Sequence, residues 1–344
     1  MGRRVLVTGL GSFWGGRVAK QLEADPDVEV IVGLDTREPQ VELERTEYVR
    51  SDENYSILSR IVQATQVDTI IHTFLVVDST MMSSRAMHEI NVIGTMNLFA
   101  AASGSSVRNV VVKSSAYVYG SHPRDPVWFT EDTPRTAPPR HRVEKSLGEV
   151  ESYVNDFAVD HPHVAVSILR FSNVLGHDIT TPLSAMLSAP LVTPKIFGFD
   201  PRFQFVHEDD VIRAILFVLD HDLAGTYNVA GDGQVPWSEV AALCGKRTWP
   251  LPPIGQGMVA AGLRRLGIDI PPEVVDLLSF GRGIDNRRLR DEGFEYSFTS
   301  AGTVRSFIET NRLRATVGDG DAYRYQREVE EFFRRSPAVI RNER

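Results

Sequence analysis

The chain has 344 residues, 42% hydrophobic and 24% charged, the balance of a globular protein with one large domain and an appendage, or with two domains. Its 45 acidic against 37 basic residues leave a net charge of −8, which argues against general binding to nucleic acid or to an anionic membrane. The single cysteine, Cys244, excludes an internal disulfide and a multi-cysteine zinc site, and no metal is expected. With no apolar run near the ~18 residues of a membrane span and no charged-then-apolar leader before Val5, a cytoplasmic location is expected.

Residues 5–8, Val-Leu-Val-Thr, are short and β-branched, as a buried parallel strand should be, and Gly9 opens a glycine-punctuated turn at once. Val18 and Leu22, set among Arg17, Lys20 and Gln21, predict an amphipathic helix ending near Asp25-Pro26. Strand, tight glycine turn and helix aim backbone N–H groups and a helix dipole at a phosphate. Residues 28–34 form a second strand, and Asp35 at its end stands about 20 residues beyond the turn, where a dinucleotide fold keeps its ribose-binding carboxylate. The turn itself, Thr8-Gly9-x-x-Ser12-x-x-Gly15, has serine where a middle glycine would admit the pyrophosphate, with Gly11 displaced by one position.

Residues 36–46 are polar and without period, a loop. A strand over 47–50, a helix over 55–65, a strand over 67–72 and a loop over 73–79 follow. A long helix over 84–102 precedes a fifth strand, Asn109-Val-Val-Val-Lys113, which ends in Ser114-Ser-Ala-Tyr-Val-Tyr-Gly120. After a proline-rich loop come a helix over 141–157 and a sixth strand over 164–169. This alternation implies an α/β protein of Rossmann type, a doubly wound parallel sheet with its ligands at the strands' carboxyl ends. Beyond Asn173 prolines become frequent. Short strands are expected over 203–206 and 225–229, and helices over 211–219, 258–266 and 323–335. The expected organisation is a dinucleotide-binding domain over 1–173 to which 203–230 return, a substrate-binding region over 174–311, and a helical tail over 312–344.

Separated motifs in a fixed order carry a family resemblance. They are the Thr8 to Gly15 turn, Asp35, Ile71-His72, Asn91-Val-Ile-Gly-Thr95, Ser114 to Gly120, Lys145, Leu169-Arg-Phe-Ser-Asn173, Phe205-Val-His-Glu-Asp-Asp210 and Gly225-Thr-Tyr-Asn228, with Asp285 and Gly293-Phe294 later. Over residues 3–308 the chain resembles the extended short-chain dehydrogenase/reductases of the NAD-dependent epimerase/dehydratase family, the group containing UDP-glucose 4-epimerase. The resemblance implies NAD as cofactor. Gly9, Ser12, Phe13, Trp14 and Gly15 would line its pyrophosphate. Asp35 would take the adenosine ribose hydroxyls and repel a 2′-phosphate, with Arg37 working against that preference. Asp52 would hold the adenine amine, and Thr73, Phe74 and Leu75 would make a floor bulkier than the family's usual Leu-Ala-Ala. Asn91 would steady the fold near the cofactor, and Lys113, Ser114, Phe171 and Ser172 would stand against it.

Ser115 matches the family's catalytic Ser/Thr, which hydrogen-bonds the reacting hydroxyl. Lys145 matches the lysine that holds the nicotinamide ribose and lowers the pKa of the catalytic tyrosine. That tyrosine is due four residues earlier, one turn away on the same helix face, and the position holds His141. The implied catalytic set is Ser115, His141 and Lys145, with the ammonium keeping His141 neutral at pH 7 as a general base of short reach. Implied substrate contacts are Asn173, for a nucleotide-sugar diphosphate, and Arg202, one place from the family arginine, whose own position holds Phe203. His207 is expected to be structural. The expected protein is an NAD-binding, epimerase/dehydratase-like oxidoreductase acting on a nucleotide sugar or a related hydroxyl or carbonyl compound, with little or no epimerisation of UDP-glucose. A non-catalytic dinucleotide-binding protein and a reductase or dehydratase of a non-sugar substrate both stay open. The family pattern also implies a homodimer through residues 84–102 and 141–157.

Overall fold

The computed structural model describes residues 2–189, 192–252 and 270–317, with side chains to Arg312. Its strands are β1 (Arg3–Thr8), β2 (Val28–Asp35), β3 (Thr46–Arg50), β4 (Thr69–His72), β5 (Asn109–Ser115), β6 (Ala165–Phe171), β7 (Asn173–Leu175), β8 (Val192–Ile196), β9 (Arg202–Phe203), β10 (Phe205–His207), β11 (Gly225–Val229), β12 (Val235–Pro236) and β13 (Arg247–Leu251). The helices are α1 (Phe13–Glu23), α2 (Tyr55–Thr65), α3 (Ser84–His88), α4 (Gly94–Ala102), α5 (Arg142–Asp160), α6 (Pro182–Ser188), α7 (Glu208–Asp220), α8 (Trp237–Leu243), α9 (Pro272–Phe280), α10 (Arg287–Asp291) and α11 (Ser300–Val317).

Runs of β-branched residues build the central sheet because both of its faces are covered. Along β1, Val5 and Val7 pack toward α1 and α7 with Val18, Leu22, Val211 and Ile215. Leu6, between them, faces the opposite layer, where Leu58, Leu98, Phe99, Leu147 and Val150 from α2, α4 and α5 close over Val110 and Val112. Seven strands stand in the order β11-β6-β5-β4-β1-β2-β3, all parallel. The order reverses between β1 and β4, and a ligand crevice opens at that point of a doubly wound sheet. A third apolar cluster, including Leu183, Phe203, Phe205, Trp237, Leu277 and Val304, underlies the two-stranded pairs β7–β10, β8–β13 and β9–β12.

Several features depart from the expected elements; the strand expected over 203–206 is split at Gln204 into β9 and β10, which join different pairs. The helix expected over 84–102 is interrupted by a π turn, Glu89–Ile93, between α3 and α4. Such turns admit one extra residue, commonly where a side chain must be re-aimed, and Asn91 lies within this one. α5 begins at Arg142, with His141 as its extended N-cap residue. α11 runs to Val317, through the boundary expected at 311. The helices expected over 258–266 and 323–335 lie outside the described residues. Among the described residues no helix is long and apolar enough to cross a membrane, and no group of three or more His, Cys, Asp or Glu side chains could hold a metal ion.

Candidate active site

A cavity of about 610 Å³ lies across the carboxyl ends of β1, β2, β4, β5 and β6. Its dinucleotide end is built from the first turn of the chain. Gly9 has φ +76°, and a Cβ there would press on Thr73 Oγ1 at 2.9 Å and Phe74 at 3.0 Å. A Cβ on Gly15 would overlap the Gly9 carbonyl oxygen, so glycine at 15 is what lets α1 approach the strand. Ser12, the apparent misfit, caps the helix: its hydroxyl accepts from Gly15 N–H at 3.2 Å and donates to the Gly9 carbonyl at 2.6 Å. α1 starts one residue later, and its first N–H groups have no partner within the helix, as a phosphate site requires. Asp35, 1% exposed, accepts from Gly11 N–H at 3.0 Å and Arg37 N–H at 2.9 Å. Gly11 therefore orients the carboxylate that would meet the ribose.

The floor is Thr73, Phe74 and Leu75, and the far wall includes Phe171, Ser172 and Asn173. Thr73 is anchored to the Thr8 carbonyl at 2.7 Å. Asn173 donates to the Gln204 carbonyl at 2.9 Å. At the catalytic end, Lys113, Ser114 and Ser115 reach the cavity from β5. Ser115 accepts from Tyr117 N–H at 3.3 Å, which leaves its hydroxyl proton available to donate. Burial pushes Lys113 down to about 7. Its Nζ donates to the Leu75 carbonyl at 2.6 Å and lies 4.8 Å from the centre of the Trp14 ring.

The structure does not bring His141 and Lys145 into this cavity. Lys145 is 70% exposed and faces Glu149 at 3.8 Å on the outer side of α5. His141 turns away to Asp276, with Nε2 2.9 Å from Oδ2. Burial would lower the His141 pKa, but the Asp276 hydrogen bond and the charges of Glu144, Asp276 and Glu273 outweigh burial and raise it. The expectation of a neutral histidine governed by Lys145 is thus corrected. The cause is helix phase. Glu151 takes Arg170 at 2.6 Å and Ser114 at 2.5 Å, and Val143, Leu147, Val150 and Val154 complete a buried stripe. The inward pair one turn apart is therefore Val143 and Leu147, both 0% exposed. Lys145 is two residues, about 200°, from Leu147 around the axis.

Other expected contacts are also relocated. Asp52 is exposed and outside the cavity wall, while its neighbour Glu53 is buried. Asn91 does not touch the cavity; its amide bonds Val76 N–H and the Val76 carbonyl, both at 2.8 Å, and so holds the loop leaving β4. Arg202 is exposed on β9, paired to Pro236 of β12, and does not line the cavity. Arg282 does, 8% exposed, 4.5 Å over the Tyr117 ring and donating to the Gly120 carbonyl at 3.1 Å. Sequence reasoning gave Tyr117, whose pKa burial raises to about 12, no role beyond its place in the serine motif, and passed over Glu273 and Asp178 on the rim. It also assigned Lys113 no chemistry, although a charge ending a run of three valines was a visible signal.

Residues 5–230 match the model of the NAD dependent epimerase/dehydratase family. An uncharacterised protein of Mycobacterium tuberculosis is 35% identical over 329 residues, covering 93% of this chain and 86% of its own. A UDP-glucose 4-epimerase of Mycolicibacterium smegmatis is 29% identical over 234 residues, 62% of this chain and 72% of that protein. Among solved structures, MoeE5 in complex with UDP-glucose and NAD superposes with a TM-score of 0.71 at 21% identity, over 91% of this chain and 99% of that one. DesIV, a dTDP-glucose 4,6-dehydratase from Streptomyces venezuelae with NAD bound, gives 0.69 at 23%, over 93% and 99%. With its glycine turn, its buried Asp35 and its seven parallel strands in place, the chain belongs to the NAD-dependent epimerase/dehydratase family.

Proposed function

We propose that the protein is an epimerase/dehydratase-type oxidoreductase acting on a secondary hydroxyl, or the matching carbonyl, of a nucleotide sugar or related compound. One observation carries this reading: a single cavity joins Asp35 and Gly11 at the dinucleotide end to Ser115, Asn173 and Arg282 at the other. NAD, when bound, supplies the capacity to accept and return a hydride. The chain supplies the rest. Asp35 holds ribose hydroxyls, Ser115 donates to the reacting oxygen, and Leu75, Ile179, Leu183 and Val274 line the space and keep water from it. The nucleotide-sugar assignment is supported by relatives named UDP-glucose 4-epimerase and by the UDP-glucose held in MoeE5.

The test is to incubate the protein with NAD and UDP-galactose, UDP-glucose or UDP-glucuronic acid, following sugar configuration by NMR and nicotinamide reduction by absorbance. Conversion of one of them is expected; NAD binding without conversion of any nucleotide sugar rejects the reading. A second reading, a dinucleotide-binding protein without turnover, is favoured by one observation, the apolar Val143–Leu147 pair on the inward face of α5. We also infer a homodimer through residues 84–102 and 141–157, supported by Ile93 and Met96, 42% and 39% exposed beside α5; sedimentation tests it. A cytoplasmic location is supported by the single unpaired cysteine.

A further inference from the structure

We propose that Lys113, on β5, takes and returns the hydroxyl proton in this cavity, in place of any side chain of α5. The proposal rests on the oxidoreductase reading above and adds the group that reading lacks. Lysine is an unexpected residue at this place. Three valines precede it in a strand buried on both faces, and Lys113 is 4% exposed. No carboxylate among the described residues lies within ion-pair distance of it; its Nζ is held by the Leu75 carbonyl at 2.6 Å. An ammonium buried without a counter-charge is costly, so a lysine kept only for stability should hold an acid. The buried acid of α5 that does reach β5, Glu151, belongs instead to Arg170 and Ser114. Loss of the proton removes the cost. The neutral amine still donates to Leu75 and keeps a lone pair for the cavity, while the Trp14 face 4.8 Å away steadies the ammonium when the proton returns.

Position agrees with this role. Residues 113 and 115 alternate onto the same face of β5, roughly 7 Å apart along the strand. The hydroxyl that would orient the substrate and the amine that would take its proton therefore come from one face of β5 and line one cavity. The other titratable groups that line or adjoin this space are committed. His72, next to Lys113 from β4, is driven down to about 3 by burial and by Lys113, and its nitrogens meet Thr8 at 2.7 Å and Thr95 at 2.9 Å. Tyr117, raised to about 12, keeps its proton. Asp35 holds Gly11 and Arg37 N–H, Asp78 holds Thr80, Asp178 pairs with Arg17, and Glu273 accepts from Ser79 N–H. Arg37 and Arg282 do not release protons near neutrality. Lys113, lowered to about 7 by burial, is left as the lining group matched to proton exchange at that pH.

In the oxidative direction the O–H proton passes to the amine nitrogen, forming N–H as O–H breaks. The O–H electron pair becomes the second C–O bond, and the C–H pair leaves as hydride, whose acceptance is the chemistry NAD supplies. The reverse step returns the ammonium proton to oxygen.

The first test needs no substitution. The full-length protein is acetylated with brief pulses of acetic anhydride across the pH range, and the rate at Lys113 is read by peptide mass spectrometry. A midpoint near neutrality, with slower labelling once NAD⁺ is bound, is expected; a midpoint near the ordinary 10.4 of lysine overturns the proposal. The second test compares Lys113→Met and Lys113→Arg for NAD⁺ affinity by calorimetry and for conversion of UDP-galactose. Affinity within a few-fold of wild type with conversion reduced about 100-fold or more in both variants is expected. A loss of conversion that only tracks NAD⁺ affinity, or rescue by arginine, makes Lys113 a cofactor-holding residue and overturns the proposal. A wild type that binds NAD⁺ but converts no nucleotide sugar ends the oxidoreductase reading and this role with it. That outcome is distinct from failure of Lys113 alone, in which the enzyme converts substrate whatever stands at 113.

Discussion

Glu53 is the clearest site at which to test the electrostatics of the dinucleotide end. It is 6% exposed, and neither carboxylate oxygen has a hydrogen-bond partner among the described residues. The Thr8 hydroxyl offers it at most a weak contact, because it pairs with His72 at 2.7 Å. His72 itself lies 3.8 Å from Oε1 and is uncharged. Burial raises the Glu53 carboxyl from 4.5 to about 8, outweighing the opposing pull of the Thr8 hydroxyl, and repulsion from Asp35 and Asp52 adds smaller increments. The folded state therefore binds a proton that the unfolded chain has released anywhere between those two values, and stability falls as pH rises through that window. The gap is about 3.5 pH units; at about 1.4 kcal/mol per unit it bounds the loss at roughly 5 kcal/mol, of which roughly 3 kcal/mol has accrued by pH 7. Glu53→Gln keeps the shape and removes the titration. Urea unfolding of both proteins at steps from pH 5 to about pH 9 should show the glutamine variant gaining on wild type by several kcal/mol, on top of a constant offset from its extra N–H donors. A stability difference that stays flat across this range would refute the reasoning, and would mean that Glu53 is ionised and paired in the fold.

Asp35→Ala should weaken NAD by about 1.5–3 kcal/mol for each charge-assisted hydrogen bond lost, and wild type should prefer NAD to NADP; equal affinities by calorimetry would reassign the ribose contact and point to Arg37. Gly15→Ala should abolish NAD binding and lower the melting temperature, because its Cβ meets backbone at Gly9 rather than a movable side chain; unchanged NAD affinity would show that the turn has room. His141→Tyr should leave conversion of any substrate unchanged, since residue 141 faces Asp276 outside the cavity; a gain of activity would place the helix in a different phase. His141→Leu should lower stability in acid and not in base. The His141 pKa is raised in the fold, so its contribution is complete below 6.5 and is lost as pH climbs past the folded value.

What the sequence determined by itself is the part written in local spacing. Residues 5–15 and Asp35 specify strand, turn, helix and acid through short-range sterics, and a parallel sheet then gathers the carboxyl ends of its strands whatever lies between them. Thr73 to Leu75, Ser115 and Phe171 to Asn173 reach the cavity for that reason, each being the exit of a strand. The rotation of α5 is different. A four-residue spacing is met equally by His141–Lys145 and by Val143–Leu147, and the choice fell to Glu151 reaching Arg170 and Ser114 beneath a buried aliphatic stripe. Arg202 and Arg282 are equally legible as arginines, yet only the second is turned into the wall. The character of Lys113 also depended on tertiary structure, because the charge state of an amine follows from which acids and how much water surround it, and those neighbours come from β4, α1 and the loop at Leu75, none of them adjacent in the chain.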